Sequence, residues 1–95
     1  MFLIEMDFTA PLDMVDKYIV AHREYLSGHY AQGQLFFGGR KVPRTGGIII
    51  SKHQSREEVE RIFSFDPLVL ASLASYTVKE FDPVMFSPEL KPLFV

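Results

Sequence analysis

The residues of this chain that could do chemistry are three histidines, an aspartate directly before a proline, and a glycine-rich segment carrying three cations. His22 recurs with Val15, Ile19, Leu26 and Tyr30 at steps of three and four, which places it on the apolar stripe of a helix. An imidazole there can serve as general acid or base, because it titrates near neutral pH. It can equally be a buried neutral ring with both nitrogens hydrogen-bonded, and the residues alone leave both readings open. Asp66 stands before Pro67, the pattern of an N-cap followed by a first-turn proline, and capping alone accounts for it. Arg40, Lys41 and Arg44 lie among the glycines of the segment from Gly38 to Gly47. They fit a substrate carboxylate or phenolate, and they fit a merely solvated loop as well. Arg23 points to one side of the stripe, toward a salt bridge, and Ser72 and Tyr76 are read as polar walls of a pocket. His22 and His29 are two turns apart and no His-Glu-x-x-His pattern occurs, so metal binding is not expected. There is neither a Gly-x-Ser-x-Gly elbow nor a dinucleotide fingerprint, and no cofactor is expected.

These residues need elements to hold them. Phe2 to Phe8 alternates apolar Phe2, Ile4, Met6 and Phe8 against Leu3, Glu5 and Asp7, the period of a half-buried strand. A helix follows from Leu12, with Pro11 ahead of it, Asp13 and Asp16 near its start, and an end between Ser27 and Gln32. Gln34 to Gly38 reads as a short second strand, and the segment from Gly38 to Gly47 reads as a mobile loop. Gly47 to Lys52 is a third strand whose β-branched run predicts burial on both faces and a central place in the sheet. Ser55 and Glu58 form a capping-box pattern for a helix carrying Val59, Ile62 and Phe63. A short helix from Leu68 to Leu73 and a last strand from Ser75 to Phe81 complete the order. The tail, with Pro83, Pro88 and Pro92 among apolar residues, is expected to pack on its own domain or on a neighbour. The order is that of an α+β, ferredoxin-like domain with its second helix broken in two.

The ordered set His22, Tyr25-Leu26, Gly33-Gln34-Leu35-Phe36-Phe37-Gly38-Gly39, Phe65-Asp66-Pro67-Leu68 and Tyr76-Thr77-Val78-Lys79-Glu80-Phe81-Asp82-Pro83 resembles the YCII-related family. The resemblance runs from about Met1 to Pro83. It implies a dimeric α+β barrel in which two four-stranded sheets face one another. It also implies a site built on a histidine–aspartate pair, which falls here on His22 and Asp66. The carboxylate would then hold the imidazole in one tautomer and stabilise its cation. Relatives with this domain include a dehydrochlorinase acting on a chlorinated hydroxyquinol, so acid–base chemistry on a small aromatic or carbonyl compound is implied. Arg40 stands where the family usually has proline after the paired glycines, a change in the shape and charge of that loop.

Composition sets the outer bounds. The 95 residues are the size of one domain, without cysteine to supply disulfides or thiolate ligands. An apolar fraction of 47%, with nine Phe and four Tyr, exceeds what one small core needs and predicts a subunit interface, most simply a homodimer. The net charge of −2 offers no basic field for nucleic acid or an anionic membrane. Phe2-Leu3-Ile4 is soon interrupted by carboxylates, and no apolar run approaches the roughly 20 residues of a bilayer span, so a cytoplasmic domain is expected. A cofactor-independent enzyme using His22 and Asp66 is the leading expectation. A non-catalytic module that binds a small ligand or serves assembly is the alternative.

Overall fold

The computed structural model describes residues 1–53 and 55–94. Strand β1 (Phe2–Phe8) leads through helices α1 (Leu12–Asp16) and α2 (Ile19–Ala31) to strands β2 (Leu35–Arg40) and β3 (Gly46–Ser51). Helices α3 (Arg56–Ser64) and α4 (Pro67–Leu70) then precede strand β4 (Ala74–Glu80) and a 3₁₀ turn at Pro88–Leu93. The four strands form one antiparallel sheet in the order β2-β3-β1-β4, the ferredoxin-like arrangement.

One face of the sheet carries the core. Phe2, Ile4 and Met6 alternate inward from β1 and meet Val15, Leu26, Val59, Phe63 and Leu68 from the helices, all buried. Each such side chain contributes about 1.5–3 kcal/mol through removal from water, which ties both helical layers to β1. Tyr25 on α2 donates its hydroxyl to the Ile62 carbonyl at 2.6 Å, fixing α2 against α3.

Several details differ from the sequence expectations. The first helix is two, because Lys17 and Tyr18 donate to Met14 and Val15, three residues back, which tightens and interrupts the helical ladder. The glycine-rich segment is largely a β-hairpin, for Gly38, Gly39 and Arg40 pair with Ile49, Ile48 and Gly47. Only Lys41 to Thr45 is left as its turn. Strand β3 is internal, between β2 and β1, yet Ile49 and Ser51 are buried while Ile48 is 40% exposed, so only one of its faces is covered. Of the two places expected for the tail, it does not take the first, its own core: Val84, Met85, Leu90 and Leu93 remain exposed, and Phe86 packs on Phe94 with ring centroids 4.7 Å apart. Val95, the last residue of that tail, lies outside the described residues.

Helix α4 ends earlier than the sequence implies, and Ser72 is the reason. Its φ of 60° is left-handed, Leu73 N–H donates to the Leu68 carbonyl at 2.9 Å, and Ser72 N–H to that of Val69 at 3.0 Å. This double closure is the Schellman motif, with serine where glycine usually stands. Ser72→Gly is therefore expected to hold or raise stability by up to about 1 kcal/mol, and a β-branched residue there to lower it, in urea unfolding.

His53 closes the link from β3 to α3. It is buried, its Nδ1 meets Ser51 Oγ, and its backbone N–H donates to the same hydroxyl at 3.2 Å. Burial pushes the imidazole below its ordinary value. As pH falls below about 6.5, the unfolded chain takes up a proton that the folded ring resists, so stability falls with pH in that window. Urea midpoints followed from pH 7 downward should decline more steeply for the wild type than for His53→Gln. Parallel curves would remove this residue from the pH response.

Candidate functional site

Two local features bring a histidine and a carboxylate together. The α2 stripe turns His22 toward the sheet; Asp66 caps α4, its Oδ1 accepting from Leu68 N–H at 2.8 Å. The other carboxylate oxygen, Oδ2, lies 2.6 Å from His22 Nδ1. Asp66 has no solvent exposure and the His22 side chain retains 15%. An ionised carboxylate accepts only, and opposite one the proton of a neutral ring belongs on Nδ1. Nε2 is left without a protein partner among the described residues, on a residue that lines a cleft. An imidazole so oriented has the geometry that proton abstraction at Nε2 requires.

The cleft, of about 350 Å3, lies between α2 and the hairpin end of the sheet. This is a size suited to a small organic molecule. Glycine makes the hollow. On the covered face of the sheet, Gly47 stands opposite Met6 and Gly38 opposite Ile49, so neither fills the space beneath α2. At Gly38 a side chain is also excluded: a Cβ would stand 2.6 Å from Tyr30 Oη and 2.7 Å from the Ile48 carbonyl oxygen. Met6, Phe8, Leu26 and Ile49 give the floor an apolar character, and Arg23, Arg40 and Arg44 bring positive charge to the wall. None of the residues lining it is acidic.

The cations divide. Arg44 lines the cleft but is held by Asp16, Nη2 to Oδ1 at 2.5 Å, with its guanidinium 5.9 Å from the Phe8 ring centre. That hydrogen bond keeps the Asp16 carboxyl below, and Arg44 above, the usual range. Arg40, at the end of β2, lines the cleft without an ion pair among the described residues. Lys41 is turned away, bound to Glu5 Oε2 at 2.7 Å and Asp7 Oδ1 at 2.5 Å on the open face of the sheet. Arg23, read from the sequence as a salt-bridge residue, instead lines the cleft and makes no ion pair among the described residues.

Ser72 and Tyr76, read from the sequence as pocket walls, do not line the cleft. The turn that stops α4 uses Ser72, whose carbonyl accepts from Thr9 Oγ1 at 3.2 Å. Tyr76, on β4, packs toward Phe63 and donates its hydroxyl to the Glu60 carbonyl at 3.2 Å. Opposite Met6 on β1, it lies on the covered face, but at the α3 side of that face rather than beneath α2. Conversely, Tyr30 and Ser27 line the cleft and were not singled out. The signal for Tyr30 was present, since it shares the stripe of His22. A second, more open groove holds Tyr25, His29, His53, Glu58 and Arg61. Among the described residues no three His, Asp or Glu side chains gather in a group that could hold a metal ion.

No curated protein matches the chain. Among solved structures, the 5-chloro-2-hydroxyhydroquinone dehydrochlorinase of Burkholderia phenoliruptrix, in complex with 2,5-dihydroxybenzoquinone, superimposes with a TM-score of 0.74. The match covers 85% of this chain and 92% of that one at 23% sequence identity, a likeness of fold. The YCII-related domain matches residues 1–82, most of the chain, and the protein belongs to the YCII-related family.

Proposed function

We propose that this protein is a small cofactor-independent enzyme that moves a proton on a small anionic organic substrate, aromatic or carbonyl-bearing. The observation carrying the reading is the 2.6 Å contact of His22 Nδ1 with the fully buried Asp66 carboxylate beside an open, acid-free cleft. Nε2 has no protein partner among the described residues and belongs to a residue that lines the cleft, which leaves it available to a ligand. In an elimination, Nε2 accepts a substrate proton, the electron pair left behind forms the new π bond, and the leaving group departs with its own pair. Asp66 holds the tautomer that makes Nε2 basic and offsets the charge of the imidazolium. Arg40 is free to hold the anionic group, and Arg44, steadied by Asp16, adds charge from the other side of the hairpin. The similarity of fold to a dehydrochlorinase supports an elimination over other proton transfers.

The same reading includes a homodimer. On the open face of the sheet Phe37 is 64% and Ile48 40% exposed, and half-buried Leu3 and Ile50 join them across three strands. A second copy covering this strip would form the dimeric α+β barrel and leave each cleft on the outer, helical side. The apolar tail beyond residue 82 would then add to the seam rather than to its own core. Sedimentation equilibrium should give twice the mass of one chain, and Ile48→Lys should give a single chain; a monomeric wild type removes the dimer.

Chloride release from 5-chloro-2-hydroxyhydroquinone is the direct assay. His22→Gln and Asp66→Asn should each lower the rate at least about a hundredfold while thermal midpoints stay close to wild type. Asparagine remains a good cap, whereas Asp66→Ala should also lose about 1 kcal/mol of stability. Full activity in His22→Gln would end the proposal.

A further inference from the structure

We propose that Tyr30 is a substrate-binding residue, its phenol donating a hydrogen bond to an oxygen of an anionic ring, so that the cleft selects rings oxygenated away from their acidic group. The inference rests on the cleft being the ligand site argued above and names the class of ligand it takes.

Tyr30 follows His22 by eight residues on α2, a rise of about 12 Å along the helix, and both line the same cleft. Two other tyrosines spend their hydroxyls within the fold, Tyr25 on the Ile62 carbonyl and Tyr76 on that of Glu60. Tyr30 Oη has no such partner among the described residues. No fully buried side-chain polar atom there lacks a hydrogen bond, so this hydroxyl keeps some exposure to solvent, on a residue that lines the cleft. Burial of the ring raises its pKa above the ordinary phenol value, which keeps it an O–H donor at neutral pH. Gly38 completes the arrangement, because any Cβ there would crowd Oη at 2.6 Å. Between the two polar ends lie Met6, Leu26 and Ile49, a surface for the flat face of a ring. Arg23 and Arg40, unpaired among the described residues, supply the charge that an anion requires.

Titration calorimetry with benzoate and 4-hydroxybenzoate tests this. Wild type should prefer the hydroxylated ring by about two- to tenfold, the range of one net hydrogen bond. Tyr30→Phe should bind both alike, with benzoate affinity unchanged, since only a hydroxyl without a protein partner is removed. A preference that survives in Tyr30→Phe overturns the role of Tyr30 and leaves the cleft standing. Loss of benzoate binding as well shows that the hydroxyl supports the wall of the cleft rather than an oxygen of the ligand, which also overturns it. Failure of wild type to bind either probe overturns the cleft as an anion site, and this inference with it.

Discussion

A carboxylate with no access to water must find partners within the protein, because an unpaired buried charge costs several kcal/mol or more. Asp66 meets this demand with two contacts from different parts of the chain. One oxygen takes the Leu68 N–H and starts α4; the other takes His22 and fixes α2 over the sheet. Neither contact is replaceable by water at a site of zero exposure. The orientation of the imidazole, the direction of its free nitrogen and the placement of two helices are thus consequences of one buried group. A cap that served only α4 would sit at the surface, as the Ser55 cap of α3 does.

The rest of the site follows from what the sheet omits. Large side chains on the covered face of β1 build the core, whereas glycine on the facing positions of β2 and β3 leaves a hollow under the same helix. The hairpin then brings arginines to its rim. Opposite signs are kept apart: Glu5 and Asp7 on the open face neutralise Lys41 there, while Asp16 steadies Arg44 without entering the cleft. The result is an apolar floor with a cationic edge and one basic nitrogen. That combination suits a proton removed from a small anion in a partly dehydrated space.

Much of this was legible in the residues. Alternation in β1, the stripe through His22 and Leu26, and the Asp-Pro start of α4 each predicted their element, because local pattern and tertiary burial agree there. The pairing of His22 with Asp66 was not derivable from spacing, since 44 residues separate them, and it came only from the resemblance to the family. The hairpin was read as a loop because glycines and cations dominate it, yet backbone pairing with β3 needs no side chains. Ser72 and Tyr76 look polar and available in sequence; in the fold, a left-handed turn and a carbonyl on α3 have already claimed them. Tyr30 shares the stripe of His22, but the stripe does not say that a cleft lies beneath it; the missing side chains at Gly38 and Gly47 make that room.

A base at Nε2 requires that the proton of the neutral His22 ring sit on Nδ1. Nitrogen-15 NMR of the neutral ring reads this directly from the two-bond couplings to the ring protons. The expected spectrum has a protonated Nδ1 and a bare Nε2 in the wild type, changing to the opposite tautomer in Asp66→Asn, where the amide nitrogen faces the ring while its oxygen keeps the cap. A wild-type ring protonated on Nε2, or a spectrum indifferent to that substitution, would contradict it.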